Sequence, residues 1–142
     1  MNIPSKLLTA LLFSVACFNV TAADIPKSSS PTGARVYIIE PADGAVVSSP
    51  VTVKFGLSGM GVAPAGVDKE NTGHHHLLVD AKALPKMDQP MGKNVKHFGG
   101  GQTETTLTLA PGKHTLQLIL GDKYHIPHNP PVISKKITIT VK

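Results

Sequence analysis

The sequence predicts an all-β sandwich. Three observations carry that expectation: several short segments alternate apolar and polar residues with period two, prolines and glycines punctuate the chain between them, and no convincing helical periodicity competes. Six or seven short strands fit the about 120 residues that follow an amino-terminal targeting segment, a length sufficient for one hydrophobic core. Neither an internal repeat nor a second domain is visible.

Residues 1–23 read as a cleavable signal peptide. Lys6 gives the basic start, residues 7–20 are mostly apolar but too few for the ~18–20 needed to span a bilayer, and Thr21, Ala22 and Ala23 are small. Cleavage is expected after Ala22 or Ala23. Cys17 follows Ala16 and so raises a lipoprotein alternative, but Ser14 stands three residues before it, where a lipobox wants an aliphatic residue. Cleavage removes Cys17, the only cysteine, so a protein in a disulfide-permissive compartment is left to rely on its core. No second apolar span follows, and none is expected to cross a membrane.

Residues 24–34, polar and carrying Pro26, Pro31 and three consecutive serines, read as a flexible leader. A single domain is expected over residues 35–142. Residues 35–40 (RVYIIE) are rich in β-branched side chains and stop at Pro41, a strand closed by the turn PADG. After Pro50, Val51, Val53, Phe55 and Leu57 alternate with Thr52, Lys54 and Gly56, which marks a strand with one buried face.

The next strand opens with three consecutive imidazoles in GHHHLLVD, residues 73–80. Leu77, Leu78 and Val79 are apolar on both parities, as in a central strand covered on both sides. Residues 81–101 show no sustained period and are interrupted by Pro85, Pro90, Gly92 and three glycines at 99–101. So long a structureless loop is uncommon, and is either functional or conceals a short edge strand. Leu107 and Leu109 then alternate with threonines, Pro111-Gly112 turns the chain, and His114, Leu116, Leu118 and Leu120 share a face. Residues 123–132 (KYHIPHNPPV) carry three prolines and exclude regular structure. Ile137, Ile139 and Val141 define the last strand.

The pieces IIEPADGAVVSSPVTVKF and LAPGKHTLQLILGD resemble the opening strands and a later strand pair of bacterial extracellular immunoglobulin-like domains. The resemblance implies an immunoglobulin-like β-sandwich of about seven strands. NTGHHHLLVD, HFGGGQTET, PGKHTLQLILGD and HIPHNPPV, in that order, are similar to an uncharacterised family of secreted bacterial domains of unknown function. That similarity implies a periplasmic or secreted address and a histidine-rich surface, with no established activity.

In immunoglobulin-like order the triplet opens strand C, residues 103–110 form E and residues 113–121 form F. The end of F then lies at the start of both C and E. His74, His75, His76, His97, His125 and His128 should therefore meet at one end of the sandwich, the end whose loops such domains use for binding. His114 falls at the opposite end, in phase with the inward leucines, and reads as structural. Period two places His75 on one face and His74 and His76 on the other, so one strand cannot aim all three at a single ion. Asp122 either orients a ligand imidazole through its second nitrogen or caps the turn after Gly121.

Imidazole without thiolate suits a borderline ion, and an oxidising envelope favours copper or zinc. Met87 and Met91 offer thioethers to Cu(I) or fill gaps in the core. Charge is mildly basic: without Lys6 the chain has 13 Lys and Arg against 9 Asp and Glu. Lys82, Lys86, Lys93 and Lys96 fall in the long loop, which reads as solvated. Tryptophan is absent and the mature aromatics are only Tyr37, Phe55, Phe98 and Tyr124, too few for a platform on which nucleic-acid bases or sugar rings stack; nucleic acid is not expected as a partner.

Three functions follow. The leading one is a small secreted metal-binding module. The second is a metal-free immunoglobulin-like interaction module whose histidine-rich end meets an envelope protein. An enzyme comes third, because no paired carboxylate and no nucleophile-and-base set accompanies the imidazoles.

Overall fold

The structure, a computed structural model, describes residues 25–142. The expected signal peptide and Cys17 lie outside the described residues. Among the described residues there is no α-helix, and so no helix long and apolar enough to cross a membrane.

Two sheets face each other. The first joins β1 (Arg35–Glu40), β3 (Val51–Ser58) and β7 (Glu104–Leu107) in the order β1-β3-β7, with both pairings antiparallel. The second runs β2 (Val46–Val47), β9 (Ile137–Val141), β8 (Gly112–Gly121), β5 (Thr72–Val79), β4 (Gly61–Val62), with β6 (Lys96–His97) also pairing β5. β2 leaves the neighbourhood of β1 to pair in parallel with β9, so residues 35–47 touch both sheets. This is the strand order of an immunoglobulin-like sandwich, with β5, β7 and β8 in the places of C, E and F.

Alternation explains the packing. Val51, Val53 and Phe55 of β3 meet Leu116, Leu118 and Leu120 of β8 in the core between the sheets, joined by Leu77 of β5 and Ile139 of β9. The opposite parity faces outward but is not bare. Leu78 and Ile119 are buried there beneath residues of the long loop, with Val95, Met87 and Met91 packed on them. β5 is therefore covered on both sides, as its apolar run implies. The loop of residues 81–101 conceals a short edge strand, β6, antiparallel to β5 with His97 opposite His76.

Part of the stretch expected as a leader docks onto the domain. Ser29 bridges to Asn129, and the Ser30 N–H donates to the Asn129 carbonyl at 3.2 Å. Residues 28–30 thus pin the proline-rich segment that follows β8.

Candidate metal centre

β5 supplies two imidazoles to one face because its pleat allows no more. His74 and His76 point to the outer side of the sheet, their ring centroids 4.6 Å apart, and both are buried. β6 supplies the third: His97, cross-strand partner of His76, brings its ring centroid to 5.1 Å from that of His76 and 5.0 Å from that of His74. The turn after β8 supplies the fourth. Gly121 pairs with Pro127, the Asp122 N–H donates to the Ile126 carbonyl, and the chain doubles back tightly enough to hold His125 in the left-handed region at φ 65°. Such a conformation is uncommon for a residue with a Cβ and marks local strain.

Four imidazoles from three separate elements meet here. His74 Nε2 lies 3.1 Å from His125 Nδ1 and 3.1 Å from His97 Nε2. One nitrogen from each of His74, His76, His97 and His125 lies within 4.8 Å of the other three. An ion at ~2.0–2.1 Å from each of four nitrogens would set tetrahedral edges of ~3.3–3.4 Å, close to the two shortest separations. The four residues could hold a metal ion once the wider pairs close toward that edge. His97 is exposed and His125 partly so, which gives the buried pair a side open to solvent.

Space for the rings comes from glycines. A Cβ on Gly121 would stand 2.5 Å from His76 Cε1 and 3.0 Å from its Nδ1, and a Cβ on Gly99 would overlap the His97 ring. Close approach of ring to backbone is what these two positions provide.

Electrostatics favour neutral rings. Burial, reinforced by the charge His125 and His97 would carry, pushes the pKa of His74 down to about 4. Burial and the neighbouring His74 push His76 down to about 3. His97 is lowered as well, by desolvation and by His125. A cluster that resists protonation keeps the lone pairs a cation requires. The Nδ1 atoms of His74 and His76 are buried without a hydrogen-bond partner, and the His74 ring is held through Nε2 by His125 and His97.

The remaining candidates are placed elsewhere. His75 faces the core, with its ring centroid 5.2 Å from that of Phe55. Neither ring nitrogen has a partner in hydrogen-bond geometry, and desolvation, the larger effect, lowers its pKa against an opposing effect of the Gln102 backbone. His128 is buried on the other side of the turn from His125, with Nε2 3.1 Å from the Thr72 carbonyl. There it braces the entry to β5. Asp122 touches no imidazole: Oδ1 accepts the N–H groups of Tyr124 and Ile126 at 2.9 and 3.0 Å, and Oδ2 accepts the Ser28 hydroxyl at 2.8 Å. It acts on the site by building the turn that carries His125, and its charge partly offsets the lowering at His74. His114 stands at the far end of β8, bonded to Asp80 and Ala110.

One participant in the surroundings of the cluster had only a weak signal in the sequence. Met91 lines a depression of about 320 Å³ together with His76, His97 and His125. The methionine pair in MDQPM was the available hint.

The family model "Domain of unknown function (DUF4399)" matches residues 53–142, which takes in most of β3, all of β4 to β9 and all seven histidines. No curated protein and no solved structure matches the chain.

Proposed function

The chain belongs to the DUF4399 family of domains of unknown function, and from its four converging imidazoles we propose a small secreted domain that binds one borderline transition-metal ion, copper or zinc. The observation that carries this reading is the approach of four imidazole nitrogens from β5, β6 and the 122–126 turn to within 4.8 Å of one another. Strands that hold histidines in register, a strained turn and two glycines shaped to ring contact all serve that approach. Nitrogen-only donors suit Cu(II) and Zn(II) better than hard ions such as Mg(II) or Ca(II).

Binding rather than turnover is the chemistry the donor set supports. Imidazole nitrogens supply most or all of the ion's shell, and no carboxylate contacts the rings to act as a base. The amino-terminal pattern of residues 1–23 supports an extracytoplasmic location, where a labile metal ion would be met outside the thiol-rich cytosol.

Native mass spectrometry of the protein titrated with Zn(II) and with Cu(II) tests this reading. One ion per chain is expected, with loss of binding in the double variant His74→Ala/His125→Ala. Unaltered binding by that variant would remove the proposal. A metal-free interaction module would instead recover the same envelope partner before and after chelation.

A further inference from the structure

Met91 is the soft donor that stands beside the imidazole cluster. Its backbone N–H donates to the His125 carbonyl at 2.9 Å, which ties it to the turn that supplies a ligand. Its methyl carbon lies 2.9 Å from the point where a Cβ on Gly121 would stand, and His76 Nδ1 lies 3.0 Å from that same point. Methionine and imidazole thus share one hollow above Gly121. Met91 also lines the depression into which His76, His97 and His125 open.

Met87 provides an internal contrast. Both methionines pack on the outer apolar cluster of Leu78, Val95 and Ile119, but Met87 does not line the depression. Were gap-filling the whole role, either residue would serve equally as a leucine. Met91 brings what a leucine lacks, a thioether, to the wall of the depression that His76, His97 and His125 also line.

We propose that Met91 is a ligand of this centre and that the ion held through it is Cu(I). The proposal rests on the metal-binding reading given above and narrows it to one ion. A thioether is a soft donor that favours Cu(I) strongly and adds little for Zn(II) or Cu(II), which the imidazoles already satisfy. Flexibility matters too: Met has three rotatable bonds, so the sulfur reaches a nearby ion without disturbing β5. The exposed edge at His97 leaves a route by which the ion enters and leaves. Binding involves no change of oxidation state; copper arrives and departs as Cu(I).

The test compares the full chain with Met91→Leu, a substitution that keeps volume and apolar character while removing sulfur. Cu(I) affinity is read anaerobically by competition with a chromophoric Cu(I) chelator, and Zn(II) affinity by titration of the same samples. Loss of Cu(I) affinity by about tenfold or more is expected, with Zn(II) affinity unchanged. Met87→Leu should alter neither. Copper X-ray absorption of the loaded protein should show a sulfur scatterer that Met91→Leu abolishes.

Unchanged Cu(I) affinity in Met91→Leu, or a wild-type spectrum with nitrogen scatterers alone, would overturn the assignment. An equal fall in Cu(I) and Zn(II) affinity would overturn it as well, since it would mean that Met91 acts by packing. Failure of the underlying reading looks different: the unmodified chain would then bind neither ion.

Discussion

His74 Nε2 lies 3.1 Å from His125 Nδ1, although 51 positions separate the two residues in sequence. A buried strand residue and a strained turn residue are brought to hydrogen-bond distance, and that contact sits among four nitrogens placed for an ion. Replacing either ring removes one of four donors. His74→Ala and His125→Ala should each weaken Zn(II) binding on the order of 100-fold, whereas His128→Ala should leave affinity within a few-fold. Competition titration against a chromophoric chelator checks this, and equal losses for His125 and His128 would contradict the geometry.

His75 separates the triplet into two jobs. Its ring is buried against Phe55 with both nitrogens unpartnered, an arrangement that costs about 1–3 kcal/mol relative to an apolar side chain of similar size. His75→Leu should therefore raise the free energy of unfolding by about 1 kcal/mol or more and leave metal stoichiometry at its unmodified value. Urea denaturation of the two proteins measures it. A destabilised variant would mean that the imidazole has a polar partner in solution.

How much of this was legible follows from the kind of order each element has. The pleat fixes side-chain direction with a period of two, so GHHHLLVD declared that His74 and His76 share a face and that His75 does not. The sandwich itself was legible because Val51, Val53, Phe55 and Leu116, Leu118, Leu120 alternate over long enough runs. β6 was only hinted at by the length of its loop, since two residues carry no period, and the pairing of His97 with His76 is a long-range contact. His125 and His128 looked like one His-x-x-His pair. The left-handed turn at His125 sends them to opposite sides, and no residue type announces a positive φ there. Asp122 had two readings in sequence; its three accepted hydrogen bonds show a turn builder.

The cluster also makes the metal-free protein sensitive to acid. His74 and His76 have folded-state pKa values of about 4 and about 3, below the ordinary 6.5. Their contribution is complete above pH 6.5, where neither folded nor unfolded chains protonate them. As pH falls below 6.5 the unfolded chain takes up protons that the folded one refuses, and stability drops by about 1.4 kcal/mol per pH unit for each residue until the folded pKa is reached. Chemical denaturation at pH 7.5, 6 and 5 should show that decline. His114 titrates with the opposite sign, so the measurement is cleanest in His114→Gln. A flat profile there would contradict buried neutral imidazoles.

At the other end of β8, His114 offers Nδ1 to Asp80 Oδ2 at 2.7 Å and Nε2 to the Ala110 carbonyl at 2.8 Å. Both partners are acceptors, so both nitrogens must carry hydrogen and the ring is an imidazolium. The hydrogen bond that His114 donates to Asp80 raises the His114 pKa; on Asp80, burial works upward but the bonds from His114 and Thr115 prevail and lower it. The contribution of His114 is complete below 6.5 and is lost as pH rises through its raised folded pKa. That of Asp80 is present above 3.8 and is lost as pH falls through its lowered folded pKa. The pair therefore stabilises most between about pH 4 and 6.5. Because Asp80 is half exposed, screening limits the effect: His114→Ala should cost about 1 kcal/mol at pH 6 and less at pH 8.5. A larger cost at the higher pH would reverse the assignment of charge.

Gly121 tests whether ring position, and not only ring identity, makes the site. A methyl at this position would stand 2.5 Å from His76 Cε1 and 2.9 Å from the Met91 methyl, closer than carbon atoms approach. Gly121 pairs with His74 across the β5–β8 ladder and its backbone has no need of a positive φ, so alanine is compatible with the strand itself. The strain falls on the side chains above it, and His76 must swing away from the other three imidazoles. Gly121→Ala should weaken Zn(II) binding by tenfold or more without deleting a ligand. Gly112→Ala, at the far end of the same strand and with open space around it, provides the comparison for a general disturbance of β8. Its φ of 132° makes it destabilising in its own right, yet it should leave affinity in the folded fraction unchanged. Equal affinities for Gly121→Ala and the unmodified protein would show that His76 is dispensable to the centre.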